Sequence, residues 1–399
     1  MTAVYYLFAG VLVFLSARSF LGGIRYLAYF KAELAKPVSK FTPFVTVIAP
    51  CRGADQGLGD NLESLLSQSY PHYEVIFVVD DSRDHAVPLI GQTRAATGVP
   101  TKLIIAKLSA DSGQKVENLR EGVLHANERS EVFVFVDSDV RVSANWLRDL
   151  VAPLQDPGIG ASTGYRWFIS KEPTFATELR SAWNASIASA LGPNNGSNFC
   201  WGGSTAIRRE IFNRAGIRER WRGTLSDDFA VTRAMKDVGL PIVFVPGAMM
   251  VTTEDCSFAD LLEFTTRQMK ITRVYARHLW LTSFIGSGVF IAVLLASLAI
   301  VIFSRANNVR VWVALLTLAL VSIFSIGKAS LRLSAIKLAL SDYKADLNRQ
   351  FWTQNTFWAL TPAIFFYNCV AALFSRRLTW RGTTYELKSP VETVIITDK

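Results

Sequence analysis

The residues best suited to chemistry are acids set at the ends of apolar runs. In Glu131-Val-Phe-Val-Phe-Val-Asp-Ser-Asp-Val-Arg141, the carboxylates of Asp137 and Asp139 stand one residue apart. They close the run Val132 to Asp137, whose β-branched and aromatic residues predict a strand covered on both faces. Two hard oxygen donors this close can reach one divalent cation that also holds a diphosphate. A plain strand-to-turn junction uses Asp and Ser in the same way. A second acid pair, Asp80-Asp81, ends the run Tyr73 to Val79, and Gly113, Lys115 and Asn118 lie between the two pairs. A lysine at a helix start can meet phosphate as a point charge. The glycines of Cys200-Trp-Gly-Gly-Ser204 allow close backbone approach to a ligand, or simply a turn. Ser226-Asp-Asp228 opens a further helix, where acids often only complement the dipole.

The elements that must position these groups alternate. Pro43 to Pro50, Tyr73 to Val79, Lys102 to Ala106 and the run ending at Asp137 read as strands, and Gly160 to Thr163 and Ile242 to Pro246 as shorter ones. Helical spacing marks Leu58 to Gln68, Val116 to Asn127, Trp146 to Leu154, Thr174 to Leu191 and Leu225 to about Val238. This alternation predicts an α/β fold with a doubly wound, mostly parallel sheet. Ligands then sit across the carboxyl ends of the strands, where both acid pairs fall. No Gly-x-Gly-x-x-Gly follows the first strand and no Gly-Lys-Ser/Thr occurs, so neither a dinucleotide fingerprint nor a P-loop is supported.

Half of the 399 residues are hydrophobic, too many for a wholly soluble chain. The excess predicts a transmembrane anchor at 1–24, from the apolar run Ala3 to Leu21, which has neither a basic leader nor a cleavage site of a signal peptide. A basic linker, 25–42, leads to a domain at 43–278. A membrane region at 279–399 holds spans at about 281–303, 309–326 and 357–374, with an interfacial amphipathic helix at about 328–348. The net charge is +9, but the basic residues flank the spans (Arg25, Lys31, Lys36 and Lys40; Lys328, Arg332 and Lys337) instead of forming a nucleic-acid stripe. That placement predicts a multi-pass membrane protein whose catalytic domain faces the cytoplasm. Four full spans would leave Arg376, Arg377 and Arg381 outside, whereas a re-entrant last segment around Pro362 would keep them inside. The four cysteines have no paired spacing and fit a reducing compartment.

With these pieces in order, the chain resembles the family 2 glycosyltransferases, and among them the membrane-bound, ceramide glucosyltransferase-like branch. The resemblance rests on Val47-Ile-Ala-Pro-Cys-Arg-Gly53, Val78-Val-Asp-Asp81, Lys115-Val-Glu-Asn118, Asp137-Ser-Asp139, Gly202-Gly-Ser204 and Ser226-Asp-Asp228, and it covers roughly residues 43 to 275. Trp380-Arg-Gly-Thr-Thr-Tyr385 is similar to that branch's tail. The resemblance implies a GT-A fold and inverting transfer from a UDP-sugar, with Mg²⁺ or Mn²⁺ held by Asp139 and Asp137. It implies a nucleotide-sugar site of Pro50, Arg52, Asp81, Lys115, Asn118, Asp137, Arg267 and Lys270, with Asp81 on the uracil. Asp228 becomes the catalytic base, and Gly203, Trp201 and Asp227 face acceptor or sugar. Tyr165 and Arg166 are further candidates for reading sugar hydroxyls. The implied acceptor is a membrane lipid hydroxyl such as that of ceramide.

Thr253-Glu-Asp255 also matches a form that the base motif takes in such enzymes, but it stands too close to Arg267 and follows a strand. Arg267-Gln-Met-Lys-Ile271 departs from the family's Arg-Trp, with Lys270 and Ile271 in its place. Losing the tryptophan removes a stacking platform and argues against a processive polysaccharide synthase. A polyprenyl-phosphate sugar transferase is the alternative, and a degenerate nucleotide-sugar binder a further one.

Overall fold

The computed structural model describes residues 2–305 and 308–396. Met1, Ala306, Asn307 and the last three residues, which fall in the predicted anchor, inter-span loop and tail, lie outside the described residues. The described chain forms two compact units: 2–31, 173–189 and 256–375 make the first, and 32–172, 190–255 and 376–396 the second.

The second unit is built on strands β1 (Val45–Pro50), β2 (Tyr73–Val79), β3 (Thr101–Ile105), β4 (Val132–Val136), β5 (Ala161–Thr163), β6 (Arg166–Phe168), β7 (Ser204–Arg208), β8 (Ile242–Phe244) and β9 (Met250–Thr252). Seven of these form one sheet in the order β3-β2-β1-β4-β7-β5-β8. β1, β2 and β4 are buried along their whole length, as their unbroken Val, Ile and Phe runs require. β3, β2, β1 and β4 run parallel, and β7 is antiparallel to both of its neighbours. The strand order reverses between β1 and β4, so the crevice beyond their carboxyl ends is the place for a ligand. Helix Ala86–Ala95 lies after β2; the sequence pattern misses it because Pro88 and Gly91 interrupt the run, though proline in a first turn is tolerated.

Beneath the sheet, Phe133, Phe135, Phe212 and Trp221 pack edge to face, with Phe135 and Trp221 ring centroids 5.2 Å apart. Trp221 Nε1 donates to the carbonyl of Asp227 at 3.1 Å, so this core fixes the start of helix Asp227–Asp237.

The tail corrects the predicted domain limits. Residues 376–396 are not a membrane region but a three-stranded antiparallel sheet of β10 (Arg377–Trp380), β11 (Thr383–Ser389) and β12 (Glu392–Ile396) within the second unit. Arg381 and Gly382 form its first turn, both at positive φ (51° and 77°), the geometry that a two-residue hairpin needs. Gln114 N donates to Tyr385 Oη at 3.4 Å, and Gly223 lies against the Val391 carbonyl so closely that no Cβ fits. Residues 173–189 and 256–278, predicted to belong to the central domain, group with the first unit.

That first unit is helical. Thr2–Leu34, Arg277–Phe303 and Val309–Ala339 are long and apolar enough to cross a membrane. The first runs past the predicted anchor end at residue 24, since no glycine or proline interrupts it between Ile24 and Leu34. The third joins the predicted span 309–326 to much of the predicted interfacial helix, which is no separate element; a short helix, Lys344–Arg349, follows. The predicted span 357–374 is part of a helix pair, Phe351–Ala359 and Thr361–Phe374, bent by 55°. β10–β12 share a compact unit with β1–β9.

Candidate active site

The second unit gathers its acids at the β1–β4 crevice and neutralises them with its own cations. Lys115, in the first turn of helix Gln114–Gly122, places Nζ 2.7 Å from Asp137 Oδ1 and 3.2 Å from Asp227 Oδ1. Burial pulls its ammonium pKa down, but Asp137 and Asp227 more than offset this and hold it well above the usual lysine value. Asp227 is pushed up to about 6, first by burial and then by Asp228 and Asp137, with Lys115 opposing. Asp139 pairs with Arg166 Nη1 at 3.0 Å, and burial raises its pKa while Arg166 opposes. Arg166 was read from the sequence only as a candidate for sugar hydroxyls; a bare arginine after a short strand carries no signal for an ion pair with a distant Asp.

Asp139 Oδ1 is buried without a hydrogen-bond partner among the described residues. An orphaned carboxylate oxygen beside Asp137 fits a divalent cation. Among the described residues no group of three or more His, Cys, Asp or Glu could hold a metal. Two carboxylates are, however, what Mg²⁺ commonly takes when substrate phosphates and water complete its shell.

Asp228 is differently placed. Its Oδ1 accepts from Ser226 Oγ and, at 2.7 Å, from Phe229 N, while Oδ2 accepts nothing among the described residues. The side chain is half-buried. One oxygen is thus fixed and the other open, which suits a group that takes a proton from a bound hydroxyl. Asp255, by contrast, spends its carboxylate on the backbone N–H groups of Lys171 and Glu172, at 3.1 and 3.3 Å.

The glycine pair also has a defined role. A Cβ on Gly202 would stand 2.2 Å from Asp227 Oδ2 and 2.9 Å from Lys115 Nζ, and one on Gly203 2.4 Å from the Trp201 ring. The close approach is to the chain's own acid–lysine cluster. Trp201 is buried, with the Tyr165 ring centroid 5.2 Å away and the Arg166 guanidinium carbon 5.4 Å from its own.

The other candidates make contacts of their own. Pro50 is the last residue of β1. Arg52 faces Asp80 at 3.6 Å, and exposed Asp81 is held below the usual carboxylate range by hydrogen bonds from Arg83. Asn118 is buried, its Oδ1 accepting from Gln114 Nε2 at 2.9 Å. Arg267 and Lys270 lie on helix Phe258–Tyr275 of the first unit, where Arg267 pairs with Glu263 at 3.5 Å. Arg381, to which sequence reasoning assigns no role in the site, makes a bidentate pair with Asp55 in the loop after β1 and lends positive potential to Asp139. The Trp-Arg-Gly of its hairpin was the available signal.

A switch-point crevice, a carboxylate pair after β4, a lysine at the next helix start and a half-open acid define the α/β, GT-A class of nucleotide-sugar folds. The family model for "Glycosyl transferase family 21" matches residues 11–392, and the chain belongs to that family. Over 123 residues it is 32% identical to a ceramide glucosyltransferase of Candida albicans, covering 28% of this chain and 22% of that protein. Over 243 residues it is 28% identical to an N-acetylglucosaminyltransferase of Mesorhizobium japonicum, covering 58% of this chain and 56% of the relative. The chain thus spans about a fifth to somewhat over half of these relatives' lengths. Among solved structures, a mannosyltransferase from Pyrobaculum calidifontis in complex with GDP-Man and Mn²⁺ is 18% identical, with a TM-score of 0.49 over 93% of this chain and 99% of that one.

Proposed function

We propose that this chain is an inverting, metal-dependent glycosyltransferase that moves a hexose from a UDP-sugar to a membrane lipid hydroxyl such as that of ceramide, with its catalytic unit facing the cytoplasm. The observation that carries this reading is Asp228, pinned through Oδ1 with Oδ2 open, next in sequence to the Asp227–Lys115–Asp137 cluster. Asp228 Oδ2 accepts the acceptor's proton as its oxygen bonds to the anomeric carbon and the bond to the diphosphate breaks. Only one carboxylate does proton work, unlike the paired acids of a hydrolase. Asp137 and Asp139 would hold Mg²⁺ or Mn²⁺, which when bound neutralises charge on the leaving diphosphate. Lys115 offers that diphosphate a fixed positive charge, and Arg166, beside Asp139, adds a second.

The test is Asp228→Asn in membranes supplied with labelled UDP-sugars and magnesium. Label should no longer enter the lipid fraction while UDP binding persists; full transfer by the variant refutes the assignment. The rhizobial relative favours a second reading, an N-acetylhexosamine donor. A panel of UDP-glucose and UDP-N-acetylglucosamine decides between the two.

A further inference from the structure

The first unit carries two cations with no counter-charge. Lys328 and Arg332 lie one turn apart on helix Val309–Ala339, at the basic end of its apolar stretch. Arg332 is 7% exposed. Its Nη2 donates to Gln354 Oε1 at 3.1 Å, and its Nε is buried without a partner. Lys328 Nζ donates to Ser19 Oγ at 2.8 Å. Neither residue has a carboxylate within ion-pair reach among the described residues. Helix Val309–Ala339 itself contains no acid, and the neighbouring Thr2–Leu34 contains only Glu33, which pairs with Lys36. Gln354 is a neutral amide and cannot supply the missing charge; its other end donates to Ser181 Oγ at 3.1 Å.

The helices are pressed together here. A Cβ on Gly23 would touch the Lys328 backbone at 3.4 Å, and one on Gly327 would meet the Phe20 ring at 2.6 Å. The two cationic heads are therefore held in place. A guanidinium and an ammonium offer eight donors between them, and the chain uses two. An unpaired buried cation is costly in a membrane-embedded unit. A phosphate supplies both the negative charge and the bidentate geometry that a guanidinium matches.

We infer that Lys328 and Arg332 form a binding site for the phosphate headgroup of an anionic membrane lipid, held as a resident lipid. The site neither uses nor requires the transferase reading.

The full chain, purified in a phosphate-free maltoside detergent, is titrated with phosphatidylglycerol and with diacylglycerol, and retained lipid is counted by native mass spectrometry. The wild type should retain phosphatidylglycerol and not diacylglycerol. Arg332→Gln combined with Lys328→Gln should weaken retention about tenfold or more, from the loss of charge-assisted hydrogen bonds. Arg332→Lys, which keeps the charge, should retain an intermediate amount, and Lys337→Gln should retain as much as the wild type. Equal loss in Lys337→Gln would mean a general basic belt and overturn the site, as would undiminished retention in the double variant or none in the wild type. Displacement of the lipid by millimolar inorganic phosphate would reassign the site to the free anion.

Discussion

Replacing Lys115 by methionine keeps the volume of the side chain and removes its charge. At an effective dielectric of ~20, unit charges at the observed 2.7 and 3.2 Å attract by about 6 and 5 kcal/mol. Desolvation offsets most of this, and removing one member of a buried pair leaves a net loss of about 3–5 kcal/mol. The loss should depend on pH with a definite sign. Burial pushes the Asp227 carboxyl up to about 6, well above the usual carboxylate range, with Lys115 holding it down. Without the ammonium its midpoint rises further, so the folded variant binds a proton that the unfolded chain does not. Stability contributed by that proton grows as pH falls below the folded pKa and is lost as pH rises through it. The deficit should thus be largest near pH ~8 and shrink towards pH ~5. Thermal unfolding of wild type and variant in lipid nanodiscs across this range measures it. A deficit that is flat, or that widens on acidification, would refute the account of Lys115 as the neutraliser of buried acids.

Three further outcomes follow from the same geometry. Gly202→Ala should destabilise by about 1–3 kcal/mol through overpacking against Asp227, whereas Gly59→Ala, which meets nothing within 4 Å, should gain up to about 1 kcal/mol of helix propensity; thermal melts compare them directly. Arg166→Met should free Asp139, so Mn²⁺ titration followed by tryptophan fluorescence should give tighter binding without donor and weaker UDP-sugar binding with it; unchanged values for both would remove Arg166 from the site. Ending the chain after Ser375 removes the partners of Asp55 and Gly223, and limited proteolysis should then cut the loop after β1 faster than in the full chain.

The nucleotide half was legible because its physics is local. Val45–Pro50, Tyr73–Val79 and Val132–Val136 each announce a buried strand by an unbroken apolar run, and their ends place Asp81, Asp137 and Asp139. The reversal of β7 was hidden, since five residues of Ser-Thr-Ala-Ile-Arg read the same in either direction. Three-residue β6 and β9 fall below what periodicity resolves. The pairing of Asp139 with Arg166 and of Asp55 with Arg381 depends on tertiary placement across long sequence distances, to which no spacing rule speaks. The charged stretch after Gly327 looked like a new interfacial element because polarity changes there; helix propensity does not, so Val309–Ala339 continues through it.

The tail sheet sets an order of events in biosynthesis. β1 leaves the ribosome early, yet β10–β12, which tie down the loop after it through Arg381 and seat Tyr385 on the helix that bears Lys115, follow far later in the chain. Apart from Thr2–Leu34, every helix of the first unit is synthesised in between. Domains generally mature as they emerge, but this one cannot be completed until the intervening apolar helices and β10–β12 have been made. A nascent chain that stalls before β10 therefore lacks the tie between Arg381 and Asp55 that holds the loop after β1.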